Sequence, residues 1–350
     1  MTWFFPRWVK YSSIMDSDLI KKLEQNRQSK LIVYVTGDRP FPLSAQIGLD
    51  ILPIFRRHLE GIGKVQKIDL AIFSTGGDTL VPWRLITMMR EYAESIGVIV
   101  LHKAHSAATM IALGADEILM DELSEISPID PTVSNQYNPV DPQNPQAKLP
   151  ISVEDVFSYL DLISKKMGIK REEEIVKVFN KLVDSNPSVH PLAIGNVYRS
   201  FNLVRLLANK LMSSHRQKMS QDDIDRVVMV LAERLHSHYY FIGRKEAKND
   251  LGIRTIIDPV VGIESWMREA YDDLNNYMSF GKPFNPEEEL GAIALKNVAF
   301  PVALIQSEKL VSTFFTTIEL QRVQVLDAVP SGTPVTRNQI NWRITHQGWK

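Results

Sequence analysis

Ile68–Asp69–Leu70–Ala71–Ile72–Phe73, running into Ser74–Thr75–Gly76–Gly77–Asp78, is the stretch that decides the fold. A nearly continuous apolar run stops at a glycine pair, and a helical pattern follows from Leu80. Glycines at a strand end free backbone N–H groups and let another chain approach closely. The same change recurs where Gly97–Val98–Ile99–Val100–Leu101 gives way to His105–Ser106–Ala107–Ala108–Thr109. There a serine opens a helix of small residues, which places a hydroxyl at a positive dipole end. Two such turns side by side at one edge of a parallel sheet make a nucleophile and an oxyanion hole.

Outward from these turns the alternation continues. Leu31–Thr36 is an apolar run closed by Gly37–Asp38–Arg39–Pro40, as expected of a strand buried on both faces. Helical patterns cover Asp16–Lys30, Ala45–Leu59 and Leu80–Ile96, and Asp116–Met120 reads as a short fourth strand. This succession predicts right-handed βαβ units, with the chemistry gathered beyond the C-terminal strand ends. A polar, proline-rich loop spans Asn135–Pro150, too long for a simple connector. Helices are expected at Ile151–Gly168, Glu172–Asp184, Pro191–His215 and from Ser220, with a further one around Lys245–Gly252. After Asp258 a helix near Ile263–Asn276 precedes β-rich runs at Val302–Ile305, Thr313–Val325 and Gln339–Thr345. The expected organisation is an N-terminal arm and opening helix (1–30), an α/β domain (31–257) and a small C-terminal α+β region (258–350).

The 350 residues carry a formal net charge of -1, with 44% hydrophobic and 23% charged residues. This balance gives no electrostatic case for nucleic acid. Cysteine is absent, which excludes disulfides, thiol catalysis and cysteine-based zinc sites. The expectation is a cytoplasmic protein without cofactor or metal. Met1–Val9 is aromatic and apolar but too short for a span, so it reads as an arm packing on the body or a partner, or as a shallow membrane-interface contact.

Taken in order, Phe73–Gly77, His105–Thr109 and Ala115–Met120 resemble the Clp protease/crotonase superfamily. The closer similarity is to its signal peptide peptidase A-like branch and the serine dehydrogenase proteinase family. Ser127–Pro128–Ile129–Asp130–Pro131, His190–Asn196 and Glu246–Gly252 resemble that last family in particular. The resemblance runs from about Leu31 to Thr255. It implies an α/β fold with a Clp/crotonase-like βαβ core, and a serine peptidase acting on a polypeptide through an acyl-enzyme. It also implies a homo-oligomer. Ser106 would be the nucleophile, the N–H groups of Gly77 and Ala107 the oxyanion hole, and Gly76 and Asp78 substrate-binding residues.

The histidine relay of the Clp subunit has no counterpart here, because no histidine lies between His105 and His190. Signal peptide peptidase-like enzymes use a Ser–Lys dyad, and Lys148 is the lysine found between Lys103 and Lys165. A lysine serves as base when desolvation lowers its pKa. Against this stands the reading of Ser106 as a helix cap, the glycines as a tight turn and Lys148 as a solvated loop residue. His102 reads as strand-end packing, and His105 as pointing away from Ser106. His190 heads a helix, and His236 with His238 has a metal-like spacing but lacks a third ligand. Asp130 reads as a turn former and Glu287–Glu289 as a solvated face. A catalytically inactive, peptide-binding scaffold of the same fold is the alternative function. Acyl-CoA chemistry is disfavoured by the glycine turn.

Overall fold

The computed structural model describes residues 14–144, 146–184, 189–235, 237–260, 262–327 and 335–350. Helix α1 (Ser17–Arg27) leads into β1 (Lys30–Thr36), α2 (Ile51–Ile62), β2 (Val65–Ser74), α3 (Val81–Arg90) and β3 (Ala93–Ala104). Next come α4 (Ala107–Leu113), β4 (Glu117–Met120) and three short strands, β5 (Glu125–Ile126), β6 (Thr132–Val133) and β7 (Ile151–Ser152). The helical stretch is α5 (Val153–Asp161), α6 (Glu172–Asp184), α7 (Pro191–Ser213) and α8 (Gln221–Met229). Strands β8 (Ile242–Gly243) and β9 (Ile256–Ile257) precede α9 (Ile263–Met278) and α10 (Pro286–Leu290). Three long strands close the chain: β10 (Leu295–Ser307), β11 (Val311–Asp327) and β12 (Val335–Trp349).

Among the described residues these strands form a ten-stranded sheet in the order β12-β11-β10-β1-β2-β3-β4-β9, with β5 paired to β3 and β8 to β5. β1 through β4 and β9 are mutually parallel, and β10 joins β1 antiparallel. The apolar runs are buried on both faces because alternate residues enter different cores. Ile32, Tyr34, Leu70, Ile72, Val98 and Val100 face α2, α3, α4, α7 and α8. Val33, Val35, Ala71, Phe73, Ile99 and Leu101 face α1 and α9. This is the expected α/β architecture, a mostly parallel sheet sandwiched by helices.

Several elements depart from the sequence expectation. Ala45–Leu59 does not fold as one helix. Its first part is extended, Ile47 bridging to Gly77, and α2 begins only at Ile51. The backbone bonds of Ile47 to Gly76 and Asp78, each 2.8 Å, outweigh the local helical periodicity. β3 is longer than its apolar run because its ends pair with β2 as far as Ala93 and Ala104. Ile151 and Ser152 form β7 before α5 starts. The C-terminal strands extend the central sheet through β10 and β1, and α9 covers one of its faces. The aromatic N-terminal arm lies outside the described residues. Among the described residues no helix is long and apolar enough to cross a membrane.

Candidate active site

The two turns meet beyond the C-terminal ends of β2 and β3. The N–H of His105 donates to the Ser74 carbonyl at 3.0 Å, which ties the turns together. The Ser74 hydroxyl in turn accepts from Thr36 Oγ1 at 2.7 Å and from the Gly76 N–H at 3.1 Å. Gly76 and Gly77 have φ of 106° and 150°. A Cβ on Gly76 would stand 2.8 Å from the Ser106 Cβ, and one on Gly77 would stand 2.2 Å from the Ile47 carbonyl oxygen. Glycine is needed at both, at the first for the approach to Ser106 and at the second for the bridge to Ile47.

Ser106 caps α4 with φ 51° and ψ −112°, a left-handed conformation for a residue bearing a Cβ. Such a backbone costs on the order of 1–3 kcal/mol and must be held by its surroundings. Ser127 does part of this, its Oγ accepting the Ser106 N–H at 2.8 Å. Thr109 ties the same segments, donating to the Ala104 carbonyl at 2.6 Å and to the Ser127 carbonyl at 3.1 Å. The Ser106 hydroxyl makes no capping bond to its helix. The N–H groups of Gly77 and Ala107 donate to no group among the described residues. For Gly77 the cause is the bridge pattern: Ile47 bonds to Gly76 and Asp78, so the Gly77 N–H faces the other way. The Asp78 carboxylate accepts from the Leu80 N–H at 2.8 Å and thereby shapes the start of α3.

Lys148 bridges to Val140 in a small hairpin, braced by Asn138, whose amide donates to the carbonyls of Val133 and Leu149 at 2.8 Å each. Lys148 is exposed there, and among the described residues no hydrogen bond joins it to Ser106.

The histidines are occupied in different ways. The Nε2 of His105 is 2.9 Å from Glu125 Oε1, and burial holds its pKa below the ordinary value despite that carboxylate. His102 packs between Phe73 and Tyr271, and burial lowers it likewise. His190 caps α7, its Nδ1 accepting the Leu192 N–H at 3.1 Å, and stacks on Tyr137. His236 lies outside the described residues. His238 pairs with Asp130, Nδ1 to Oδ1 at 2.9 Å. Asp130 is therefore more than the turn former its flanking prolines suggest. It is 5% exposed, and its Oδ2 has no hydrogen-bond partner among the described residues. The pairing spans 108 positions of sequence, and no local spacing announces it. The Glu287–Glu289 run forms the first turn of α10.

Comparison with known proteins matches this arrangement to one family. Two uncharacterised proteins of Methanocaldococcus jannaschii are similar in sequence. MJ1495 is 36% identical over 173 residues, 48% of this chain and 59% of that protein. MJ0137 is 29% identical over 130 residues, 34% of this chain and 43% of that protein. The chain thus spans about half the length of the curated relatives it matches. The model of the ClpP-like SDH-type serine proteinases matches residues 3–189, a range that includes both turns, Asp130 and Lys148 but ends before His190. With more than half of its length matched, the chain belongs to the ClpP-like SDH-type serine proteinase family.

Proposed function

We propose that the protein is a serine peptidase in which Ser106 attacks a polypeptide carbonyl and carries the acyl group. The observation that carries this reading is the pair of N–H groups, on Gly77 and Ala107, that have no partner among the described residues and flank a serine held in a strained turn. Donors fixed in advance stabilise the tetrahedral oxyanion without reorganisation, and losing one typically costs about 3–4 kcal/mol of transition-state stabilisation. Gly76 and Asp78 continue the strand that pairs with Ile47, a row along which an extended substrate would lie. A homo-oligomer belongs to the same reading, with the outer strand β12 as a row of backbone groups open to another copy.

In the dyad form of this reading Lys148 is the base, which requires its hairpin to fold over Ser106 and draw the ammonium out of water. Covalent labelling by a fluorophosphonate separates the parts. Wild-type protein should label, and Ser106→Ala should not. A wild-type labelling rate in Lys148→Ala would remove that lysine from the mechanism while leaving the serine in place. Absence of labelling in folded wild-type protein would favour the peptide-binding scaffold.

A further inference from the structure

Three consecutive aromatic residues, Tyr239, Tyr240 and Phe241, lead into β8 beside the two turns. Glu125 and Ile126 of β5 pair antiparallel with Gly243 and Ile242 of β8. One further step of that register sets Phe241 opposite Ser127, and the 2.9 Å hydrogen bond of His238 with Asp130 keeps the two segments together beyond it. Residues directly opposite in an antiparallel pair project to the same face, with Cβ atoms about 4.5–5.5 Å apart. Ile126 and Ile242 both enter the core on one face. Ser127 and Phe241 therefore share the other, where the Ser127 hydroxyl accepts the Ser106 N–H at 2.8 Å. Ser106 thus has the Gly76 turn against its Cβ and Ser127 against its N–H, with Phe241 across from Ser127.

The run is left to solvent. Phe241 is 65% exposed and Tyr239 92%. Adjacent rings in water keep uncovered the apolar area that a core would bury, and such a patch marks a surface that something else covers. The rings are also held in place. The Tyr240 hydroxyl donates to Glu246 Oε1 at 3.0 Å, and its ring stacks on Phe241 with 17° between the planes. Tyr239 meets the His238 ring edge-on. Rings fixed in advance lose little freedom when another group packs on them. The neighbouring carboxylates of Glu246 and Glu125 are engaged by Tyr240 and His105, so Phe241 presents ring surface to an incoming chain. Its place beside Ser106 points to the substrate as the occupant, since a second copy seated there would close the approach to the serine.

We propose that Phe241, backed by Tyr240, is a specificity-determining residue whose ring receives an apolar side chain of the polypeptide close to the bond that Ser106 attacks. This inference rests on the reading of Ser106 as nucleophile and names the substrate class of that site. One cross-strand spacing and the Ser127 hydrogen bond put the Phe241 Cβ within about 10 Å of the Ser106 nitrogen. At about 3.3 Å per extended residue, that span covers side chains up to three positions from the scissile bond. An apolar subsite of this kind discriminates between side chains by about 10-fold or more.

The test is cut-site mapping: the full chain acts on a mixture of unstructured synthetic peptides, and mass spectrometry identifies the new ends. Wild-type protein should show apolar residues enriched about 10-fold at one position within three of the cut. Phe241→Leu should keep that enrichment, Phe241→Ala should lose it, and Phe241→Glu should replace it by enrichment of Lys and Arg. Wild-type cuts without apolar enrichment, or enrichment unchanged in the Ala and Glu variants, would overturn this inference while an inactive Ser106→Ala left the nucleophile standing. Unchanged enrichment together with an altered sedimentation coefficient in Phe241→Ala would make the run a subunit contact, which also overturns it. Loss of all cutting in every Phe241 variant, Leu included, would make the ring structural, with the same consequence. Cutting that survives Ser106→Ala, or none by folded wild-type protein, would overturn the underlying reading itself.

Discussion

Gly77 shows how little room the site leaves at the scale of a residue. Its φ of 150° lies outside the usual range for side-chain-bearing residues, and a Cβ would meet the Ile47 carbonyl oxygen at 2.2 Å. That oxygen belongs to backbone and cannot swing aside, so Gly77→Ala should cost on the order of 2–4 kcal/mol and displace the segment that presents its N–H. Urea denaturation would read the loss, and the variant should also acylate more slowly. A second residue-scale prediction concerns His58, fully buried with its ring nitrogens 2.9 Å and 3.3 Å from the hydroxyls of Ser307 and Ser312. Burial lowers its pKa from 6.5 to about 4, so the unfolded chain takes up the proton first on acidification. Stability is thus complete above pH 6.5 and declines as the pH falls towards about 4, by roughly 3 kcal/mol. Denaturation curves at pH 7 and 4.5 should show this decline, and His58→Gln should lose most of it. At this scale the two turns and their approach to one another were legible, because each is written in adjacent residues. The contact of His238 with Asp130 was not, since it joins two segments 108 positions apart in sequence.

Between elements, a charged knot fixes the end of the sheet opposite the site. Arg27, at the end of α1, reaches both Asp69 on β2 and Glu117 on β4, with its nearest oxygens at 3.0 Å and 2.7 Å. Ser29 Oγ adds a bond to Asp69 at 2.7 Å, and Asp69 is fully buried. Removing one partner of such a buried pair leaves the other charge uncompensated, so Arg27→Ala should cost about 3–5 kcal/mol, measured by the denaturation midpoint at pH 7. A change below about 1 kcal/mol would mean that water replaces the guanidinium. Elements were legible where their signals were local. Ser220 caps α8 as expected, accepting the Asp223 N–H, and Gly252 takes the left-handed turn that ends its helical segment. They were misread where a distant segment decided the conformation, as around Ile47, which Gly77 draws into a parallel bridge.

The parallel core of the whole molecule followed from its buried apolar runs, because a strand covered on both faces has no polar alternation to hide it. The role of the last quarter did not. Long strands of mixed composition give no hint that β10 will pair with β1 and seal the edge of the parallel sheet. Leu304, from β10, and Met267 and Leu274, from α9, complete the core under β1 and β2. A chain ending at residue 257 should therefore expose that core and the β1 edge. Its expression should yield aggregated or protease-sensitive material, whereas a soluble, cooperatively melting fragment would show that the region beyond 257 is dispensable.

The account depends most on the serine that the two turns enclose. Peptide mapping of fluorophosphonate-treated wild-type protein by mass spectrometry addresses it directly. The predicted result is a single phosphonyl adduct, on Ser106. An adduct on any other residue, with Ser106 unmodified, would contradict it.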